Sequence, residues 1–167
     1  MPGIDNSPEI KRLVESEKIS RIPETELDRY LGFFKSSHQD NLSHSEHVLD
    51  SFPRWSIISG YYAMHDLTKL YLAREYRIKI EEDVHQTTIL VLNEALKDEE
   101  LIALFESGYE EYRRMAEELA SAKRERARAQ YYTGTPFSSE DFKRRARKFH
   151  EEKVLPYIEK LMVIMGG

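Results

Sequence analysis

Apolar side chains recur every three or four residues along most of this chain, which is the spacing of an amphipathic α-helix. The most regular stretch begins near residue 98, where the apolar positions alternate steps of four and three: Leu101, Phe105, Gly108, Tyr112, Met115, Leu119 and Ala122. Such a seam is typical of a helix packed lengthwise against other helices. The same spacing continues to Arg126 and Ala129. The pattern therefore predicts an arginine that points inward at Arg126.

Breaks in this periodicity, together with prolines and glycines, delimit the other helices. They are predicted over 8–20, 23–48, 53–74, 84–97 and 138–164. The helix that starts at Pro53 is apolar on almost every side, which indicates a central position. Pro156 lies inside the last helix and predicts a kink, because proline removes one backbone hydrogen bond. No stretch alternates polar and β-branched residues, so no sheet is expected.

The predicted fold is all-α: an antiparallel up-and-down bundle of four long helices with one or two short helices at the N-terminal side. Residues 1–50 are interpreted as an N-terminal helical extension that packs on a helical bundle formed by residues 51–167. At 167 residues the chain is long enough to bury a sizeable core without covalent cross-links.

Composition excludes several classes of function. The chain has no cysteine, which excludes disulfides, a thiol nucleophile and cysteine-containing zinc sites, and which fits a reducing compartment. No apolar run approaches the roughly 20 residues of a membrane span, and the N-terminus lacks the features of a signal peptide. A cytoplasmic location is therefore predicted. The chain also lacks a glycine-rich phosphate loop and the common catalytic motifs, and no cofactor is expected.

Charge is distributed unevenly along the chain. Residues 1–122 carry 14 basic and 24 acidic side chains, whereas residues 123–148 carry nine basic and three acidic ones, a local net charge of +6. A short turn joins the two helices that share this segment, so their basic residues should meet at one end of the bundle. One interpretation is a surface that binds the phosphate backbone of RNA. The alternative is a solvated helix surface whose arginines interact with the helix dipole.

Several polar residues fall on predicted core positions. An inward Arg126 needs a carboxylate, a cleft or an interface, and Asp66 on the central helix is the expected partner. His65 is expected to be a satisfied core histidine beside it. The spacing of His44 and His47 does not favour a metal site. His150 is expected on a helix surface.

One segment resembles a known family. The run from Trp55 to Leu72, which contains Tyr61-Tyr62-Ala63-Met64, resembles the central helix of HEPN-domain proteins (higher eukaryotes and prokaryotes nucleotide-binding). The run from Arg126 to Tyr131 and the final amphipathic helix follow in that family's order. The N-terminal run from Ile10 to Ile19 resembles the lead-in of many archaeal members. The resemblance covers most of the chain.

The resemblance implies a dimeric helical bundle, often encoded beside a minimal nucleotidyltransferase in a toxin–antitoxin context. Some members cleave RNA with an Arg-x4-6-His motif. Here Arg126-x4-Tyr131 carries tyrosine in place of the histidine, and tyrosine is a poor proton shuttle at neutral pH. A second match, Arg145-x4-His150, lies later, inside the final helix.

Three functions follow as expectations. The leading one is a homodimeric interaction module that partners a nucleotidyltransferase or binds nucleotide or RNA. Its binding candidates are Arg124, Arg126, Arg128, Tyr131, Arg144 and Arg145. The second is a metal-independent ribonuclease with Arg126, Tyr131 and His150 as its catalytic candidates. The third is a structural scaffold.

Overall fold

The structure is a computed structural model that describes residues 4–128 and 139–166, without the side chains of residues 119, 121–128 and 139. The chain begins with a 3₁₀ turn, Ile4–Asn6. Its elements are then α1 (Pro8–Glu15), β1 (Ile19–Arg21), α2 (Glu24–His47), α3 (Pro53–Tyr76), β2 (Ile78–Ile80), α4 (Val84–Ala95), α5 (Glu99–Arg128), α6 (Ser139–Phe149), a π-helical turn (His150–Val154) and α7 (Leu155–Ile164). The prediction of an all-α fold is confirmed.

The expectation that the chain would contain no sheet is wrong. β1 and β2 form an antiparallel pair in which Ile19 lies opposite Ile80 and Arg21 lies opposite Ile78. Both strands have only three residues, which is too short for a period-two pattern to stand out in the sequence. The pair joins the segment before α2 to the segment after α3, because α2 and α3 lie between the two strands in the chain.

The four long helices run in alternating directions. Ser45 on α2 meets Ser56 on α3, while Asn41 meets Asp66, so α2 and α3 are antiparallel. α5 is antiparallel to α3, because Tyr62 meets Tyr112 whereas His65, further along α3, meets Phe105. The irregular helix made of α6, the π-helical turn and α7 returns along α5: Arg145 contacts Glu118, and Lys160 pairs with Glu100.

α3 is the central helix, as its sequence predicts. Fourteen of its 24 residues are buried, including polar ones, which leaves it without a solvent-facing polar side. Two glycines allow close helix packing around it. A Cβ at Gly108 of α5 would lie 2.9 Å from Met64 Cε, and one at Gly60 would lie 2.9 Å from Val154 Cγ2. Both contacts are too short for alanine unless a neighbour moves.

The seam of α5 is confirmed over the part whose side chains are described. Leu101, Phe105, Gly108 and Met115 are buried, and Tyr112 is half-buried. A kink near Pro156 stays a prediction, and the structure has a π-helical turn directly before α7. Proline cannot donate the backbone hydrogen bond of a regular α-turn, and the wider turn accommodates that loss.

Candidate functional site

The predicted site residues fall into two groups. Arg124, Arg126 and Arg128 lie in the last turns of α5, but their side chains are outside the described residues, and so is Tyr131. Whether Arg126 points inward therefore stays a prediction. Asp66, His65, Arg144, Arg145 and His150 are all described, and they occupy three different places in the bundle.

The expected pair of Asp66 with Arg126 does not fit the backbone. The Tyr62 hydroxyl lies 3.3 Å from the Tyr112 hydroxyl, so this part of α3 packs beside Tyr112 of α5. Asp66 lies one turn further along α3, in the direction that leads away from Arg126. At 1.5 Å per residue, Arg126 lies about 21 Å beyond Tyr112 along α5. The distance is several times the reach of a guanidinium.

Asp66 instead has partners on α2. Its Oδ2 accepts hydrogen bonds from the Ser37 hydroxyl at 2.6 Å and from the Asn41 amide at 3.0 Å, and its Oδ1 lies 3.5 Å from His65 Nδ1. Burial opposes ionisation, but His65 and Ser37 outweigh it and hold the pKa of Asp66 below its usual value. The residue is a buried carboxylate that joins α2 to α3.

His65 lies among aromatic rings on the other side of α3. Its exposed fraction is 3%. Apart from the 3.5 Å approach of Nδ1 to Asp66, neither ring nitrogen has a polar partner within the described part of the chain, so the expectation of a satisfied core histidine is wrong. Its ring stacks on Phe105 at 6.4 Å between centroids, and the His85 ring lies at 5.6 Å. Burial lowers the pKa of His65, so its neutral form is favoured.

His85 completes this aromatic group. The Tyr61 hydroxyl lies 2.5 Å from His85 Nδ1, and the Tyr109 ring stacks on His85 at 4.4 Å. Burial and the neighbouring His65 lower the pKa of His85 to about 4. Among the described residues, no three histidine or acidic side chains are arranged to hold a metal ion.

The expectation that His150 lies on the helix surface is wrong. Its exposed fraction is 6%, because the π-helical turn directs it toward α2. Its Nδ1 lies 3.3 Å from the Ser45 hydroxyl and its Nε2 lies 3.8 Å from Glu46. Burial lowers its pKa. A histidine enclosed in this way is poorly placed to exchange protons with a substrate in solution.

A groove along α6 carries basic side chains, and the described residues that line its first cavity all belong to α6. Arg144, Arg145 and Lys148 line a cavity of about 450 Å³ together with Asp141 and Phe142. Arg145 lies deepest. Its Nε donates to Glu111 and its Nη1 donates to Glu118 at 2.8 Å. Its Nη2 is buried and has no partner among the described atoms. The two glutamates hold this guanidinium in one orientation.

The basic residues of α6 are less available than the sequence suggests, because each lies near a carboxylate. The pairs are Lys143–Glu140 at 3.0 Å, Arg144–Asp141 at 2.9 Å, Arg145 with Glu111 and Glu118, Arg147–Asp50 at 2.5 Å and Lys148–Glu152 at 4.0 Å. The exposed pairs among these are screened by water and contribute little to stability. A phosphate group can therefore replace a carboxylate at little cost.

The sequence reasoning missed part of this groove. A second cavity of about 250 Å³ adjoins the first and is lined by Arg114, Lys153 and Ser107 as well as by Arg145 and Lys148. Arg114 lies in the acidic half of the chain and Lys153 in the π-helical turn, so neither falls within the basic segment 123–148. The helical spacing of Ser107, Glu111, Arg114 and Glu118 could have placed Arg114 on the face of α5 that meets α6.

No protein-family model, curated protein or solved structure matches the chain. The HEPN resemblance accordingly stays a prediction. Across residues 4–128 and 139–166, no helix combines the length and the apolar character needed to cross a membrane.

Proposed function

We propose that the protein is a HEPN-like interaction module that binds phosphate groups of RNA or of a nucleotide in the groove along α6. The observation that carries the proposal is the grouping of Arg144, Arg145 and Lys148 around one cavity. Arg145 is held by two glutamates, and its Nη2 has no hydrogen-bond partner among the described atoms. A preoriented arginine beside two exposed cations is a suitable phosphate site.

The same proposal includes a homodimer and a nucleotidyltransferase partner, which rest on the HEPN resemblance. Exposed aromatic side chains at the start of α3 are consistent with a protein contact, since Phe52 and Trp55 are both more than half exposed. Purification from the native host tests this part. Recovery of a dimer with a nucleotidyltransferase supports it, whereas repeated recovery of the chain without such a partner contradicts it.

A salt titration of RNA binding tests the groove. Fluorescence anisotropy should show binding of a short single-stranded RNA that weakens between about 50 and 200 mM salt, because phosphate contacts release counterions. Arg144→Ala combined with Lys148→Ala should weaken binding on the order of tenfold. Arg145 is left intact, because its loss would also leave Glu111 and Glu118 without their partner.

A matched control removes one arginine and one lysine elsewhere. Arg29 and Lys35 on α2 are exposed and have no ion pair with any described residue. The variant Arg29→Ala with Lys35→Ala should bind RNA as the wild type does. Equal losses in both double variants would mean that binding follows total charge rather than this groove.

A structural scaffold is the second candidate, and the ion pairing of every α6 cation favours it. In that case the carboxylates already satisfy the basic residues, and the groove has no ligand. RNA retention that is absent at about 50 mM salt would favour the scaffold.

A further inference from the structure

The two cavities of the groove are neighbours that share side chains. Arg145 and Lys148, one helical turn apart on α6, line both. The larger cavity lies on the side of Arg144, and the smaller one lies on the side of Arg114 and Lys153. A ligand that fills both would therefore cross α6 at Arg145 and Lys148.

The cations that line only the smaller cavity form fewer hydrogen bonds with carboxylates than the one that lines only the larger cavity. Arg144, which lines only the larger cavity, donates a hydrogen bond to Asp141. By contrast, Arg114 lies 3.8 Å from Glu111 without a hydrogen bond, and Lys153 has no ion pair with any described residue. The smaller cavity thus presents donors that lack good acceptors.

Charge points to an anionic occupant of the smaller cavity. Four cationic side chains and two anionic ones line it: Arg114, Arg145, Lys148 and Lys153, with Glu111 and Glu152. Glu111 is hydrogen-bonded to Arg145 and Glu152 lies 4.0 Å from Lys148, so Arg114 and Lys153 have no hydrogen-bonded carboxylate among the described residues. Ser107 adds a hydroxyl that can donate to a phosphate oxygen.

We propose that the smaller cavity is a second phosphate subsite, so that the groove holds two neighbouring phosphates of one single-stranded RNA rather than a lone nucleotide. The inference rests on the proposed function, and it assigns Arg114 and Lys153 as binding residues. Because the shared cations lie one turn apart, their Cβ atoms are separated by about 5–6 Å. Two adjacent phosphates of one strand can therefore lie on either side of these shared cations, one beside Arg144 and the other beside Arg114 and Lys153.

The test compares double variants in the full chain. Anisotropy is measured with a labelled single-stranded RNA of about 12 nucleotides across a salt series. Arg114→Ala combined with Lys153→Ala removes the contact to one phosphate. This variant should raise Kd on the order of tenfold and should lower the magnitude of the log–log salt slope by about 0.7, the contribution of each phosphate contact on a single strand. The Arg29→Ala, Lys35→Ala control should leave both unchanged.

A competition with AMP separates a strand from a single nucleotide. AMP carries one phosphate group and should displace the RNA only weakly, because it can fill one subsite. If AMP displaces the RNA as effectively as an unlabelled strand of the same RNA, one phosphate site is enough and the inference is overturned.

The remaining outcomes distinguish the two proposals. If the wild type binds RNA and loses affinity with Arg144→Ala and Lys148→Ala, but Arg114→Ala with Lys153→Ala keeps the wild-type salt slope, the second subsite is overturned and the groove survives. If the wild type binds no RNA at about 50 mM salt, both proposals are overturned. Thermal unfolding of each variant confirms that lost binding is not lost folding.

Discussion

The two sides of α3 are held to their neighbours by different forces. Toward α5 the contacts are apolar and aromatic: Phe105 packs near the rings of Tyr61 and Tyr157, and Gly108 allows Met64 to approach closely. Toward α2 the contacts include several hydrogen bonds, as between Asn41 and Asp66 and between Ser45 and the Ser56 carbonyl, beside the buried Phe34. Apolar packing depends on volume and area, whereas hydrogen bonds depend on direction. The α5 side should therefore provide most of the stability, and the α2 side should fix how α2 is aligned.

The largest effect is expected on the α5 side. Phe105→Ala removes a fully buried ring and leaves a cavity, so the free energy of unfolding should fall by about 3–5 kcal/mol. Urea unfolding followed by circular dichroism measures the change. Phe33→Ala is the matched control, because Phe33 on α2 is 62% exposed, and it should change stability by less than about 0.5 kcal/mol. Similar losses at the two positions would contradict the description of this seam.

A smaller loss is expected on the α2 side. Asp66→Ala leaves the Ser37 and Asn41 donors without their acceptor, which should lower the free energy of unfolding by about 1–3 kcal/mol. The same urea experiment measures it. Asp40→Ala on α2 removes an exposed carboxylate and should have little effect. A neutral result for Asp66→Ala would show that the hydrogen bonds to α2 contribute nothing.

Acid should destabilise the aromatic side through His65. Burial lowers its folded-state pKa, so the unfolded chain binds the proton more readily and stability falls as pH drops below the unfolded value of 6.5. Between about pH 7.5 and pH 5, one histidine that stays unprotonated in the folded state lowers the free energy of unfolding by at most about 2 kcal/mol. The pKa of Asp66 is also lowered, so its contribution to stability is lost only when the pH falls below its unfolded value of 3.8. Asp66 therefore does not contribute to the change between pH 7.5 and 5.

A ring substitution isolates that contribution. His65→Phe keeps an aromatic side chain among Tyr61, Tyr62 and Phe105 but removes the titrating group. The variant should lose less stability than the wild type between about pH 7.5 and 5. His38, His85 and His150 also have lowered pKa values and supply the dependence that remains. An unchanged pH dependence in the variant would rule out His65 as a contributor.

The smallest effect is expected at the edge of the α2 side. The Ser59 hydroxyl donates to the Trp55 carbonyl at 2.9 Å and lies 2.6 Å from His44 Nδ1. Ser59→Ala should cost about 0.5–1.5 kcal/mol, because His44 is exposed and water can replace its partner. Ser43→Ala, on the exposed side of α2, is the control. A loss as large as that of Phe105→Ala would reverse the ranking of the two sides.

The residues of α5 that pack against α3 could be predicted from the sequence better than those of α2. Apolar residues at steps of three and four reveal a packing seam directly, which is why Phe105 and Gly108 were placed correctly. The α2 seam contains Ser37, His38, Asn41 and Ser45, which resemble surface residues when only polarity is considered. Their burial follows from hydrogen bonds to residues far along the chain, such as Asp66, and a local pattern does not show those bonds.

The candidate groove was predictable in part for the same reason. The cluster of basic residues from Lys143 to Lys148 is visible in the sequence. The carboxylates that pair with it come partly from α5 and from the segment after α2. Glu111, Glu118 and Asp50 meet α6 only after the chain has folded. Arg114 and Lys153 were overlooked because local charge counting does not show which helix faces meet.

The π-helical turn should allow the last helix to lose one residue without a change in the direction of its buried side chains. A turn closed over five residues contains one more residue than a regular α-turn, and His150–Val154 accommodates that extra residue between two otherwise ordinary helices. Excision of the exposed Glu151 would remove the extra residue, with Phe149 and Tyr157 still directed at α3. Lengthening the same segment by one residue would instead rotate α7 by about 100°, which would turn Tyr157 and Leu161 away from the interior.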